Sequence, residues 1–205
     1  MTILDALESE DNNVGKIYGV ALGVVTNNQD EDKLGRVKLW LPFLSDDNET
    51  DWVRIATFMS GNEKGGFFLP EVKDEVLVAF AHGDINSPYV IGSLWNEKGK
   101  KPPETNSDGK NNFRFIKSRS GHIIKFDDTD GKEKIEIVDK SNNNSIIIDT
   151  SMDMITIKSN KDIKISAPNG KISIDANEIE IKSSTSAKIE ASAEMTIKGA
   201  TVNIN

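Results

Sequence analysis

The residues able to do chemistry in this chain are few and scattered. There are two histidines, His82 in "AHGD" and His122 in "SGHIIKF", and no cysteine. A zinc site needs clustered His, Cys or carboxylate ligands, and each histidine stands alone. Without thiols, disulfides, Cys-bearing zinc centres and cysteine nucleophiles are excluded. Asp127 and Asp128 follow a strand-like run and precede Asp130-Gly131, so they read as a solvated turn rather than an acid–base pair. Serine is frequent, yet no Gly-x-Ser-x-Gly elbow marks a nucleophile. Trp40, Trp52 and Trp95 could stack on the bases of a single strand. They lie in an acidic stretch, however, which favours packing in a core or between subunits. Gly65-Gly66 and Gly83 lack the following helix that a phosphate cradle uses, and read as turn formers. No catalytic residue, cofactor or metal is expected, and an enzyme is not.

Charge is uneven along the chain. Residues 1–98 hold 8 basic and 17 acidic residues, a net of −9 in a total of −8. Such a balance argues against a nucleic-acid partner. Hydrophobic residues make up 37% and aromatics 6%, which is thin for one large globular core. No apolar run is long enough to span a membrane. The start, "MTILDALESEDNNVGKIYG", lacks the basic and apolar regions of a signal peptide, so synthesis in the cytoplasm without a leader is expected.

The elements that carry these residues fall into zones. Residues 1–13 read as an N-terminal tail. Residues 14–98 hold all three Trp and read as short strands: "IYGVALGVVTNN", "GRVKLWLPFL", "DWVRIATFM", "DEVLVAFAHGD" and "PYVIGSLWN". Val37, Leu39 and Leu41 alternate with Arg36, Lys38 and Trp40, as on a half-buried strand. About five strands in this span suggest a small closed barrel of the OB type. Residues 99–112, rich in Lys, Pro, Asn and Ser, read as a linker. Residues 113–205 read as strand throughout, with a hairpin turn at Asp130-Gly131.

The last zone repeats. Ile146/Ile148, Ile155/Ile157, Ile163/Ile165, Ile172/Ile174 and Ile179/Ile181 are followed by Ile189, Ile197 and Val202/Ile204 in weaker form. The units recur about every eight residues, one strand plus a tight turn. Within a unit the two apolar side chains share a face, and the residue between is polar at Thr156, Lys164, Ser173 and Glu180. One unit makes one side of a triangular coil, and three sides need about 24 residues. A single chain would supply fewer than three coils, with open ends and free edges that invite aggregation. Three chains wound together bury every stripe and pair most backbone groups. These isoleucines and Val202 are therefore the expected core of a homotrimer. The alternative for this zone is an antiparallel meander or a small single-chain β-helix.

"LGRVKLWLPF", "DWVRIATFMSGNEKGGFFLPEVKDEVLVAFAHGDINSPYVIGSLWN" and "RSGHIIKFDDTDGKEKIEIVD" resemble the central spikes of contractile injection systems. These are the phage baseplate assembly protein V and VgrG-like spikes. The resemblance implies an all-β protein: an OB-fold barrel followed by an intertwined trimeric triangular β-helix. It also implies a structural role, puncturing the target cell envelope from a phage tail, tailocin or secretion system. Baseplate hub and tail-tube proteins would meet the barrel end, and a PAAR-type tip protein the C-terminal end. The chain departs from the larger spikes, with about 13 residues before the barrel where they carry a hub domain. It shows no lysozyme-like insert between barrel and shaft and no His-x-His tip. An OB-type module for nucleic acid or glycan on a fibrous trimerisation stalk is the alternative function. A β-helix polysaccharide lyase ranks last, for want of length and of a clustered acidic groove.

Overall fold

Alternating apolar residues set the first sheet. A computed structural model of the chain describes residues 15–44, 48–97 and 101–204. The tail expected over residues 1–13 lies outside them, as do residues 99 and 100 of the linker. The chain divides into two units, residues 1–113 and 114–205.

The first unit contains β1 (Val20–Asn27), β2 (Lys38–Trp40), β3 (Arg54–Ile55), β4 (Ser60–Gly61), β5 (Lys64–Gly65), β6 (Glu75–Phe80) and β7 (Pro88–Leu94). Their order in the main sheet is β2-β1-β6-β7-β3. β3 runs parallel to β7, Arg54 beside Tyr89 and Ile55 beside Val90. Val37 and Val53 exchange both backbone hydrogen bonds, at 3.0 and 2.8 Å. That bridge joins β2 to β3 and closes the ring of five, removing its free edges as in an OB barrel.

Inside the ring lie Val25, Val37, Leu39, Leu41, Val53, Val76, Val78, Phe80 and Val90, all buried. The alternation read for β2 holds: Val37, Leu39 and Leu41 point in, while Arg36, Lys38 and Trp40 are half-buried. Gly23 sits where a Cβ would come 2.9 Å from Val78 Cγ2 and 3.3 Å from Leu39 Cδ1. The absent side chain lets β1 pass close over the core.

The polar loop between β1 and β2 is pinned by one carboxylate. Asp30 accepts Nε and Nη2 of Arg36 at 2.9 and 2.7 Å, and the backbone N–H groups of Asp32, Leu34 and Arg36. The Arg36 guanidinium holds the Asp30 carboxyl far below the usual carboxylate range. Arg36 also lies 5.8 Å from the Trp52 ring, and Lys38 5.5 Å from it. Trp52 thus serves as a platform for cations of its own barrel.

The second sheet is an antiparallel meander of β8 (Phe113–Lys117), β9 (Ile123–Asp127), β10 (Lys134–Val138), β11 (Ser145–Asp149) and β12 (Met154–Lys158). The Asp130-Gly131 turn stands where the sequence placed it, with Gly131 at φ 69° and Lys132 N donating to Thr129 O. The β-helical winding expected from residue 113 is not what the chain makes first. Through Lys158 it doubles back on itself, its strands pairing antiparallel. Turn chemistry is the reason. Asp139 and Asp149 each cap a reversal with their carboxylates, and Asn142 and Asp153 adopt positive φ within those turns. From Ser159 to Ile204 the described residues form no strand of the chain's own.

Candidate functional site

The groups that could do chemistry are spent on structure. His82 occupies a 3-10 turn, Ala81–Gly83, at φ 50°. His122 accepts the Lys140 backbone N–H through Nδ1 at 3.3 Å. Asp127 accepts both the N–H and the hydroxyl of Thr129, and Asp128 pairs with Arg114 at 2.6 Å. Among the described residues no group of three or more His, Asp or Glu could hold a metal ion. Gly65, at φ 141°, shapes the β4–β5 hairpin, and Gly83, at φ 76°, the 3-10 turn.

What remains is a surface. Strand register places Ile124, Ile137, Ile146 and Ile157 in one row across β9 to β12, and Phe126, Ile135, Ile148 and Ile155 in the next. All eight share one face, because neighbours in register point the same way and residues i and i+2 repeat it. Their exposure runs from 37% at Ile135 to 69% at Ile155. An open groove of about 590 Å³ runs along this face, bounded by Ile116, Ile124, Ile137, Ile146, Ile157 and Ile163. Eight adjacent apolar side chains left wet are far from the single exposed residues normal on a monomer.

The opposite face is charged and better covered. Lys125 meets Glu136 at 2.5 Å and Asp127 at 3.7 Å, and Lys134 meets Glu136 at 3.1 Å. The Glu136 side chain is only 12% exposed. Burial by itself would raise the Glu136 and Asp127 carboxyls. Hydrogen bonds and nearby lysines outweigh it, Lys125 and Lys134 at Glu136 and Thr129 at Asp127, and hold both below the usual range. This side of the sheet is finished within one chain, and the apolar side is not.

Of the expected core residues, the sheet brings together Ile146, Ile148, Ile155 and Ile157, paired as Ile146 with Ile157 and Ile148 with Ile155. Ile163, Ile165, Ile172, Ile174, Ile179, Ile181, Ile189, Ile197, Val202 and Ile204 are 50–89% exposed and meet no strand partner in their own chain. Sequence reasoning missed Ile124, Phe126, Ile135 and Ile137. The signal was present, since "HIIKFD" and "KIEIV" carry the same i, i+2 spacing.

Comparison with known proteins bears on the barrel. Residues 21–95 match the type VI secretion system/phage-baseplate injector OB domain. The chain is 30% identical over 132 residues to the type VI secretion system spike protein VgrG5 of Pseudomonas aeruginosa, covering 58% of this chain and 17% of that protein. It is 25% identical over 126 residues to VgrG1a of the same organism, covering 57% and 20%. To VgrG3 of Vibrio cholerae it is 26% identical over 131 residues, covering 58% and 13%. The chain thus spans a fifth or less of the length of these relatives.

Proposed function

We propose that this chain, a VgrG-like baseplate spike protein by its injector OB domain, works as a homotrimeric central spike of a contractile injection apparatus. The observation that carries this is the eight-residue apolar face. Three such sheets set around an axis, one per chain, bury their faces against each other and leave the Lys125–Glu136 side to solvent. Past Lys158 each Ile-x-Ile unit lacks a strand partner of its own, and two further chains supply it. The shaft then has two stretches: one wall per chain first, and mutual winding after. Ile, with few rings, suits a narrow three-fold axis.

Its work is mechanical. A shaft with paired backbone and no free edges transmits force along its length, and sheath contraction supplies that force to pierce the target envelope. The barrel end seats on hub and tube proteins, and the C-terminal end accepts a PAAR-type tip. No step of this role requires a catalytic group, and the relatives are named as spike proteins rather than enzymes. No helix of the described residues is long and apolar enough to cross a membrane. By its injector OB domain and its spike-protein relatives the protein is read as part of a particle, whether of a phage, a tailocin or a secretion system.

Sedimentation of the purified chain at micromolar concentration tests this. Three times the chain mass is expected, with residues 159–204 resisting protease. A monomer, or rapid digestion of that segment, would refute it. Filter binding and a glycan array probe the alternative of a binding module on a stalk; the acidity of residues 1–98 speaks against its nucleic-acid form.

A further inference from the structure

The barrel also carries an apolar surface that its own fold leaves open. β1 and β7 both run antiparallel to β6. The β1–β2 loop, the start of β6 and the end of β7 therefore share one end of the barrel. Ile17, bonded to Gly83 at 2.8 Å, marks the other. At the first end, where the chain leaves β7, a cleft of about 810 Å³ opens beside the β4–β5 hairpin. Leu34, Phe58, Met59, Phe67 and Phe68 line it and are 51–80% exposed.

The lining is held in shape. At Gly65 a Cβ would fall 2.4 Å from Met59 O, and at Gly66 one would fall 2.3 Å from the Phe58 ring. Thr57 Oγ1 donates to Gly66 O at 2.9 Å. The Phe58 and Phe68 rings lie 6.3 Å apart. A surface already ordered loses little entropy when covered. Its charged residues are Lys33, Lys64 and Glu63, a local excess of one positive charge, within a stretch whose net charge is −9.

We propose that this cleft receives the same end of a neighbouring copy's barrel, with Trp95 as the inserted side chain, so that the three barrels close into a ring. This rests on the trimer proposed above. A three-fold ring needs a heterologous contact, one patch of each copy against a different patch of the next. Trp95 supplies the second patch: it follows β7 at the same end, is 68% exposed, and does not line its own cleft. Charge is complementary in sign: the cleft has one excess positive charge, and residues 15–44 and 48–97 together hold 11 acidic and 7 basic side chains. Chains joined through their C-terminal parts hold their barrels at high effective concentration, so a modest contact suffices.

The chain has no cysteine, so Phe67→Cys gives the full chain one thiol at the cleft. Labelled with a benzophenone maleimide and irradiated, it is expected to link copies into dimer and trimer bands on a denaturing gel. Adding Trp95→Ala is expected to lower that yield about tenfold, the effect of losing an anchoring aromatic. Lys16→Cys, at the opposite end, is expected to give monomer bands alone. Sedimentation of the same sample separates two failures. A trimer whose label links no copies, or links them equally without Trp95, overturns the ring contact and leaves the cleft to a different protein. A monomer overturns the trimer as well.

Discussion

Ile137 and Glu136 are sequence neighbours with inverted surroundings. Ile137 is 47% exposed, whereas the Glu136 side chain is 12% exposed between two lysines. A chain that covers its carboxylate and leaves its isoleucine wet is unfinished on the isoleucine side. Substitution should report that difference. Ile137→Lys would set three ammonium groups near one axis, a cost of several kcal/mol for each charge taken from water. The dissociation midpoint of the proposed trimer is expected to rise by more than ~100-fold. Thr156→Lys, half-buried on the opposite face and opposite Ile147 in register, leaves the apolar face intact and is expected to change it less than about threefold. Sedimentation over a dilution series measures both. Equal effects would mean that the apolar face is not the contact.

The elements show which parts of the fold the sequence made legible. Val37, Leu39 and Leu41 announced β2 because one face of that strand meets only core, so its period of two survives intact. Phe58, Phe67 and Phe68 gave no such cue: "TFM" reads as the end of a barrel strand and "GGFFLP" shows no alternation, yet both flank a hairpin that leaves their rings outside. The reversals after β10 and β11 were missed for a different reason. An Ile-x-Ile repeat has the same period whether its strands double back or wind, and the turn decides between them. At the first of these turns Asp139 accepts Ser141 Oγ at 2.7 Å, the N–H groups of Asn143 and Asn144, and Asn144 Nδ2. The Ser141 hydroxyl leads in drawing its carboxyl down to about 2. An unfolded aspartate titrates at about 3.9. The folded state therefore binds the proton less readily, and the stabilisation is complete above about pH 4 and lost as pH falls through about 2. Asp139→Asn is expected to melt below the parent chain at pH 7 and to converge with it near pH 2. A constant gap across that range would show that the charge is idle.

For the whole molecule, the two units differ in what they need in order to fold. The ring from β1 to β7 closes with contacts inside one chain, so its folding rate cannot depend on concentration. Residues 159–204 have no strand partner in their own chain, and in the proposed trimer their ladder would form only after copies meet. Trp40, Trp52 and Trp95 all belong to the first unit, and a Trp95→Phe chain, which keeps Trp40 and Trp52, makes tryptophan emission a reporter for barrel folding free of the proposed contact between copies. Far-ultraviolet circular dichroism instead sums the strands of both units. On dilution from denaturant, the change in emission from Trp40 and Trp52 is expected to recover at one rate across a tenfold range of protein concentration. The dichroism is expected to add a slower phase that quickens with concentration, as assembly steps do. A mixture of full chain with a chain ending at Lys158 sharpens the comparison. The shorter chain keeps the barrel and the meander, and should show the emission change with a smaller slow phase. If both signals recover together at every concentration, the C-terminal third folds within one chain and the spike needs no partner copies to form.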